Sequence, residues 1–309
     1  MPKPFSRLIA GLALLAGLAA SARAAGDKWA LLIGVDKCEA VGELKVCAAD
    51  ALALKSVLEQ IGYPENHITV LVDNQSNINA FPTIGNVERA IKRLAQVAEA
   101  DDKVLFFFSG HGVTCNGTSF IVPTDGDLTK GVSLSWVKDQ FAACQAKEKV
   151  MILDACHSGA AKGVSGITPD LKSTGNLVML LSCEKEQVSW PDKQGAHSVF
   201  TSAVLEGLKG KAANADRKVT HRALATYVRK SVKDWTYANQ KAEQTPLLIS
   251  EASGDIVLAD IALIKPPRAT IINATEAARP QRPETTEELL AAGKFAEAVS
   301  KIDARTDLA

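Results

Sequence analysis

The sequence predicts an α/β fold in which helices cover both faces of a mostly parallel central sheet. The first observation is that apolar runs of strand length, such as Trp29–Val35 and Lys103–Ser109, recur along the first two thirds of the chain. Uninterrupted apolar runs are typical of strands that are buried on both faces. The second is that helical segments separate these runs, and this alternation predicts parallel strands joined by helical crossovers.

The predicted elements follow one another in a regular order. Five apolar runs are the predicted central strands: Trp29–Val35, Ile68–Val72, Lys103–Ser109, Val150–Asp154 and Leu177–Ser182. The predicted helices carry apolar residues three and four positions apart: Ala48–Ile61, Val87–Ala98, Ser133 to about Gln145, Val199–Leu208 and Thr220–Asn239. Shorter extended segments complete the domain: Phe120–Val122, Pro246–Ser250 and Asp255–Ala259.

The N-terminus carries a predicted export signal. Basic residues precede the apolar run Leu8–Ala20, and the small residues of the ARA tripeptide at 22–24 follow it. This arrangement is typical of a cleavable signal peptide. The run is too short to span a bilayer core of about 30 Å. The sequence therefore predicts a signal peptide over residues 1–24 and a periplasmic or secreted protein that has no membrane segment after signal cleavage.

Composition divides the rest of the chain into three parts. Residues 25–262 hold the predicted strands and helices of the α/β domain. Residues 263–284 contain four prolines and predict a linker. Residues 285–309 predict a helical tail that resembles part of a tetratricopeptide-type repeat. Because a partial repeat cannot bury its own apolar face, we expect the tail to dock on the domain, to contact a partner protein or to begin a longer array.

Charge and cysteine usage exclude some classes of protein. Lys+Arg and Asp+Glu both number 35, with no basic stripe, so nothing indicates a nucleic-acid partner. No spacing of Cys and His is typical of zinc, and we expect neither a metal nor a cofactor. Cysteines could pair in an oxidising compartment, but their connectivity stays open. The six cysteines are Cys38, Cys47, Cys115, Cys144, Cys156 and Cys183.

Two strand ends carry the residues with reactive chemistry. The third strand runs into SGHG at 109–112, and the fourth runs into DACHSG at 154–159. Sites on parallel sheets lie beyond the carboxyl ends of the strands, so this pair predicts Cys156 as a nucleophile and His111 as its base. We expect His111 on an exposed turn between glycines. The backbone N–H groups of Gly112 and Cys156 are the expected oxyanion donors.

Together these motifs resemble those of one family. FFFSGHG followed by LDACHSG is similar to the catalytic pair of the caspase superfamily, and the form D-x-C-H-S-G is characteristic of metacaspases and their bacterial relatives. The similarity runs from about Lys28 to Asp260 through LKVCAAD at 44–50 and SVFTSAVLEGL at 198–208. The resemblance implies a caspase-like fold, with a mostly parallel central sheet of six strands, and a cysteine endopeptidase that acts on proteins or peptides.

The resemblance also implies a specificity. The metacaspase pocket for the residue before the scissile bond is acidic and takes Arg or Lys. By resemblance, Asp50 and Asp154 line this pocket, with Ser109 and Cys47 beside them. Two carboxylates around one guanidinium allow charge-assisted pairing. Trp190 is expected either to cover the neighbouring subsite or only to pack within its loop.

The sequence departs from the family in the residues that bind calcium. Many metacaspases hold calcium through Asp residues after the catalytic His and shortly after the Cys. Here HSGAAKGVSG at 157–166 contains no carboxylate, and Ser135 and Trp136 stand where an acidic pair is expected. Asp125 and Asp127 remain, which is few for a hard cation. We therefore expect an activity that does not need calcium.

Other interpretations stay open. One alternative is an adaptor with a degenerate caspase fold that acts through its C-terminal helix, and another is a cysteine hydrolase of the legumain or gingipain type. His157 is disfavoured as the base, because neighbouring side chains of an extended chain point to opposite sides. The long loop before Leu177 carries Lys162 and Lys172, and two hypotheses stay open for it: an enzyme selective for basic residues cuts itself there, or the loop only borders the substrate groove.

Overall fold

The computed structural model describes residues 26–38, 40–74, 76–156, 176–184, 187–250 and 252–264, apart from the side chain of Cys156. Several predictions fall outside the described residues. They are the signal peptide, the helical tail, nearly all of the linker, and the loop with His157, Lys162 and Lys172.

Strands and helices alternate through the described residues. The strands are β1 (Lys28–Gly34), β2 (Ile68–Val72), β3 (Lys103–Cys115), β4 (Thr118–Ile121), β5 (Val132–Ser133), β6 (Glu148–Cys156), β7 (Leu177–Leu181), β8 (Lys218–Thr220), β9 (Leu247–Ser250) and β10 (Val257–Asp260). The α-helices are α1 (Cys47–Gln60), α2 (Ile84–Val97), α3 (Leu134–Ala143), α4 (Val199–Glu206) and α5 (His221–Gln240). Short helical turns lie at Glu65–His67, Ile78–Ala80, Gly207–Lys211 and Ile261–Leu263. None of the described helices is both long and apolar enough to cross a lipid bilayer.

The central sheet has the order β2-β1-β3-β6-β7-β9. The first five of these strands are parallel, and β9 pairs with β7 in the antiparallel sense. This arrangement confirms the predicted α/β fold with a mostly parallel six-stranded sheet. Strand β4 extends the sheet from the end of β3, β5 pairs with β4, and β8 and β10 form a separate small sheet.

The two faces of the sheet are covered by different helices. Along β3, Leu105 and Phe107 pack into a core with α1, α4 and α5, whereas Phe106 and Phe108 pack into a second core with α2 and α3. Successive strand side chains point to opposite faces. The part of β3 that is buried on both faces therefore has to be apolar at successive positions. This explains why the VLFFF run is continuously apolar and does not alternate with polar residues.

The start of α1 is held against the end of β1. The Asp36 carboxylate accepts hydrogen bonds from the backbone N–H groups of Cys47 at 2.7 Å and Ala48 at 3.3 Å, and so caps the helix. Gly34 allows this close approach, because a Cβ there would lie 2.2 Å from the Cys47 carbonyl oxygen. The first turn of α1, which carries Asp50, consequently lies at the carboxyl edge of the sheet.

Strand β3 is longer than the sequence predicts. It does not end at Ser109 but continues to Cys115, because residues 112–115 pair with β4 as an antiparallel hairpin. The expectation that His111 lies on an exposed turn is therefore wrong. His111 is within the strand, and it is only 2% exposed.

Candidate active site

His111 and Cys156 are neighbours in the central sheet. Strands β3 and β6 run parallel, with Ser109 opposite Asp154 and His111 opposite Cys156. Both residues lie toward the carboxyl ends of central strands, where parallel sheets form their sites. The fold thus brings the two predicted catalytic positions side by side from segments that are far apart in the sequence.

The imidazole of His111 is oriented by a backbone group. Its Nε2 lies 2.8 Å from the carbonyl oxygen of Gly42. Because a carbonyl oxygen only accepts, Nε2 carries the hydrogen, and Nδ1 of the neutral ring is a proton acceptor. Burial lowers the pKa of His111, and the bond to Gly42 opposes part of that change. The ring is therefore neutral at neutral pH, as a general base has to be.

The backbone N–H of Gly112 is directed away from β4. Val122 donates its N–H to the carbonyl oxygen of His111 at 2.9 Å, and Gly112 is the register partner of Ile121. Bonded and non-bonded pairs alternate along an antiparallel ladder, so the Gly112–Ile121 pair is a non-bonded one. The hairpin consequently does not use the Gly112 N–H.

Asp50 is a fully buried carboxylate with four contacts. Its Oδ1 lies 2.8 Å from Nδ1 of His197 and accepts a hydrogen bond from the Ser198 N–H at 3.3 Å. Its Oδ2 accepts from the same N–H at 3.5 Å and from the Ser109 hydroxyl at 3.2 Å. Burial raises the pKa of Asp50 to about 7, the nearby charge of Asp154 adds to the increase, and the bonds from His197 and Ser198 oppose it.

Asp154 is held by hydroxyl groups. Ser198 and Thr201 donate to Oδ2, the latter at 2.8 Å, and Ser189 donates to Oδ1 at 3.0 Å. Burial raises the pKa of Asp154, and these hydroxyl bonds limit the increase. Ser198 connects the two carboxylates, because its N–H bonds Asp50 and its hydroxyl bonds Asp154.

The acidic residues adjoin a cavity of about 380 Å³ at the carboxyl edge of the sheet. The predicted residues Cys47, Ser109, Asp154 and Trp190 line it, and so does His111. Asp50 does not line it, contrary to expectation, but lies behind the wall that Ser109 and Ser198 form. The other lining residues are Glu43, Leu44, Lys45, Val46, Gly110, Val188, Ser189, Pro191, Gly195 and Ser198.

Cys47 and Trp190 contribute apolar surface. Burial raises the pKa of Cys47 well above its usual value, despite a hydrogen bond with Ser109, so this thiol stays protonated and is not a second nucleophile. Trp190 is half-buried and packs against the core that contains α1, α4 and α5. Trp190 thus packs against the core and also lines the cavity, while its role at a neighbouring subsite stays a prediction.

Sequence reasoning missed the residues that fix the loop between β7 and α4. The amide nitrogen of Gln244 donates to the carbonyl of Ser182 and the hydroxyl of Ser189, both at 3.0 Å, and its oxygen accepts from the Trp190 N–H at 3.3 Å. Ser198 also caps α4, since its hydroxyl accepts from the Thr201 N–H at 2.8 Å. Only this cap had a visible signal, as a serine directly before a helical apolar run.

The described residues contain no group of three or more His, Cys, Asp or Glu side chains placed to hold a metal ion. The two carboxylates that remained as calcium candidates have structural roles. Asp125 accepts from the Ile84 N–H at the start of α2, at 2.7 Å, and Asp127 accepts from the N–H and hydroxyl of Thr129. These turn contacts are not a set of oxygen ligands for calcium.

Four cysteines of the described part of the chain are free thiols: Cys38, Cys47, Cys115 and Cys144. Cys115 is half-buried, and the other three are buried.

Comparison with known proteins gives the same assignment as the motifs. A family model for the caspase domain matches residues 27–256. Metacaspase-1 of Scheffersomyces stipitis is 30% identical over 221 residues, which are 62% of this chain and 52% of that protein. Metacaspase-1 of Eremothecium gossypii is 27% identical over 215 residues, 63% of this chain and 45% of that one. The chain thus spans about half the length of the curated relatives it matches.

A solved structure supports the fold. The crystal structure of protein GSU0716 from Geobacter sulfurreducens superimposes with a TM-score of 0.54 at 16% identity, covering 78% of this chain and 98% of that one. At this identity the likeness concerns the fold alone. Since the family match spans most of the chain and includes the His111 and Cys156 motifs, the protein belongs to the caspase-domain family of peptidases, as the resemblance to metacaspases predicts.

Proposed function

We propose that the protein is a cysteine endopeptidase that cleaves peptide bonds after Arg or Lys. The observation that carries this proposal is the register of β3 and β6. It sets the backbone of Cys156 beside a buried, neutral His111 and sets Asp154 two residues away at the wall of a cavity. Family membership supports the same chemistry on protein substrates.

In the proposed reaction, Cys156 attacks the carbonyl carbon of the scissile bond. His111 takes the thiol proton at Nδ1, a carbon–sulfur bond forms, and the carbonyl oxygen becomes an oxyanion. The N–H groups of Gly112 and Cys156 hold that oxyanion. His111 then gives the proton to the departing amine as the carbon–nitrogen bond breaks. Water hydrolyses the acyl-enzyme in the second half of the reaction and frees the thiol.

The proposed preference for basic residues rests on two buried carboxylates. Asp154 meets the cavity directly, whereas Asp50 acts from behind Ser109 and Ser198. A carboxylate in such a site is electrostatically stronger than one in water. A guanidinium or ammonium group that enters the cavity gains this attraction, and a substrate carboxylate is repelled.

Export is part of the proposal as well. The basic, apolar and small-residue segments of residues 1–24 support a signal peptide, and with it a periplasmic or secreted enzyme. The helical pattern of residues 285–309 supports a contact with a partner protein. Expression of the full chain in a bacterial host, with N-terminal sequencing of the mature protein, tests the first point. Recovery with Met1 at the N-terminus would contradict it.

The experiment that tests the activity is a peptide library profiled by the residue before the cleaved bond. Wild type is expected to cleave after Arg and Lys, and Cys156→Ala is expected to be inactive on every member. Efficient cleavage after Asp by wild type would contradict the acidic pocket. Cleavage after Asn would point instead to the legumain-type alternative. A fully silent library with a folded wild type would contradict the peptidase assignment.

A further inference from the structure

His197 forms the solvent-facing side of an ion pair that the proposed reaction does not use. Its Nδ1 lies 2.8 Å from Oδ1 of Asp50, and its side chain is 28% exposed while that of Asp50 is 0% exposed. Gly195 and Ser198, on either side of His197 in the sequence, line the cavity. The imidazole is therefore the link between an enclosed carboxylate and the surface beside the cavity.

The charge of this pair depends on how many protons it holds. The pair is positive with two protons, neutral with one and negative with none. Whichever of the two residues takes up the proton, the first proton removes the negative charge behind the cavity wall. Other titratable or charged groups face the pair or the cavity from neighbouring elements: Asp154, Cys47, Asp192, Lys209, Glu43, Lys45 and His111.

We propose that His197 is a specificity-determining residue, which controls through its pairing with Asp50 whether the cavity accepts a cationic side chain. The inference rests on the proposed preference for Arg or Lys. A substrate cation in the cavity and a proton on the pair stabilise the same carboxylates, so they compete. A cation that reaches Asp50 also has to take the place of the His197 ring or the Ser109 hydroxyl.

The electrostatics of the pair agree with this role. The bond with Asp50 raises the pKa of His197, burial opposes that change, and the charge of Lys209 opposes it further. The pKa of Asp50 is itself raised to about 7. The pair therefore exchanges its proton near neutral pH, within the range in which a peptidase works. Asp154 faces the cavity as well, but its hydroxyl partners cannot supply a competing positive charge.

The first test follows the His197 imidazole by NMR in the full-length Cys156→Ala protein, with benzamidine as the cationic probe. Saturating benzamidine is expected to lower the pKa of His197 by about one unit or more, which is a tenfold coupling. The resonance of His67, stacked on Trp29 elsewhere in the fold, is expected to stay in place. A His197 pKa that is unchanged or raised would overturn the inference, and so would failure of benzamidine to bind at millimolar concentration.

The second test compares peptides with Arg and with citrulline before the scissile bond, since citrulline is a neutral analogue of Arg. His197→Lys keeps a cation beside Asp50 at all working pH values, and we expect the Arg-to-citrulline ratio of kcat/KM to fall about tenfold or more. Gln194→Lys adds the same charge to an exposed position of the same loop and is expected to change the ratio less than about twofold. Equal ratios in the two variants would overturn the inference.

The two tests separate this inference from the proposed function. If wild type cleaves after Arg and Lys but benzamidine leaves His197 unaffected, the inference fails and the function stands. If wild type cleaves neither peptide but benzamidine lowers the His197 pKa, the function fails and the coupled cation site stands.

Discussion

The α-carbons of His111 and Cys156 are register partners on neighbouring parallel strands. Strand β3 carries His111 and β6 carries Cys156. The pairing of these strands therefore brings the two residues together, although their motifs are far apart in the sequence. A shift of one residue in the pairing would place Ala155 or His157 opposite His111 instead. The alternating apolar layers on both faces of β3 and β6 fix this register, so the core sets the geometry of the site.

The first prediction concerns the two catalytic residues. Cys156→Ala and His111→Ala are each expected to lower kcat/KM for an Arg peptide by about 10³-fold or more, since residues that act as a unit lose most of their effect together. His157→Ala is expected to keep a substantial part of the activity. A fluorogenic peptide assay measures the rates, and circular dichroism checks the fold. Equal losses in all three folded variants would show that the base is misassigned.

The second prediction concerns Asp154. Asp154→Asn removes one charge-assisted contact of about 1.5–3 kcal/mol, so kcat/KM for Arg peptides is expected to fall about 10- to 150-fold. The effect on citrulline peptides should be much smaller. Asp139→Asn, on the exposed side of α3, is the matched control and is expected to act like wild type. A loss of the same size on both peptides would indicate damage to the fold rather than to the charge of the cavity.

Sequence patterns predict the strands that carry the site, because the part of a parallel strand that is covered on both faces forms a continuous apolar run. They do not predict that β3 continues through His111, since the hairpin with β4 depends on a long-range pairing. The resemblance to metacaspases places Asp50 in the wall of the pocket, whereas it does not line the cavity. Asp50 instead lies behind Ser109, and its contacts with Ser109 and His197 join elements far apart in sequence. No local pattern contains this information.

The third prediction separates two pH dependences. Burial lowers the pKa of His111. We therefore expect kcat at saturating substrate to stay constant until the pH falls below about 6.5, the ordinary pKa of a His side chain. Asp50, with its pKa raised to about 7, is expected to bind substrate cations poorly once protonated. KM for an Arg peptide should therefore rise at a higher pH than the one at which kcat falls. Coincident acid limbs in kcat and 1/KM would contradict this separation.

The fourth prediction is that activity does not require calcium. Asp125 and Asp127 bond the backbone of their own turn and the start of α2, and the segment after Cys156 has no carboxylate at 157–166. Dialysis against EDTA is expected to leave kcat/KM for an Arg peptide unchanged within about twofold. Magnesium and calcium added back separately serve as the controls. Activity that EDTA abolishes and calcium alone restores would refute the prediction.

The fifth prediction is that the ionised carboxylate of Asp50 lowers the free energy of unfolding of the protein. Its pKa is raised from 3.8 to about 7 in the folded protein, so the folded state resists ionising it. The stability that follows from the raised pKa is complete below about pH 4 and is lost as the pH rises through about 7. The raised pKa of His197 has the same sign, since its contribution is present below about pH 6.5 and is lost at higher pH.

Asp50→Asn is therefore expected to stabilise the protein at high pH relative to low pH. The full pKa shift corresponds to about 4 kcal/mol, but only part of it lies between about pH 5.5 and about pH 8.5, so we expect a difference of about 1–3 kcal/mol. Urea unfolding in a Cys156→Ala background, near pH 5.5 and near pH 8.5, measures the difference between variant and parent at each pH. Groups such as His111 titrate in both proteins, so their contributions to the free energy of unfolding cancel when variant and parent are compared. A variant that loses the same stability at both pH values would show that Asp50 is needed for packing rather than strained by its charge.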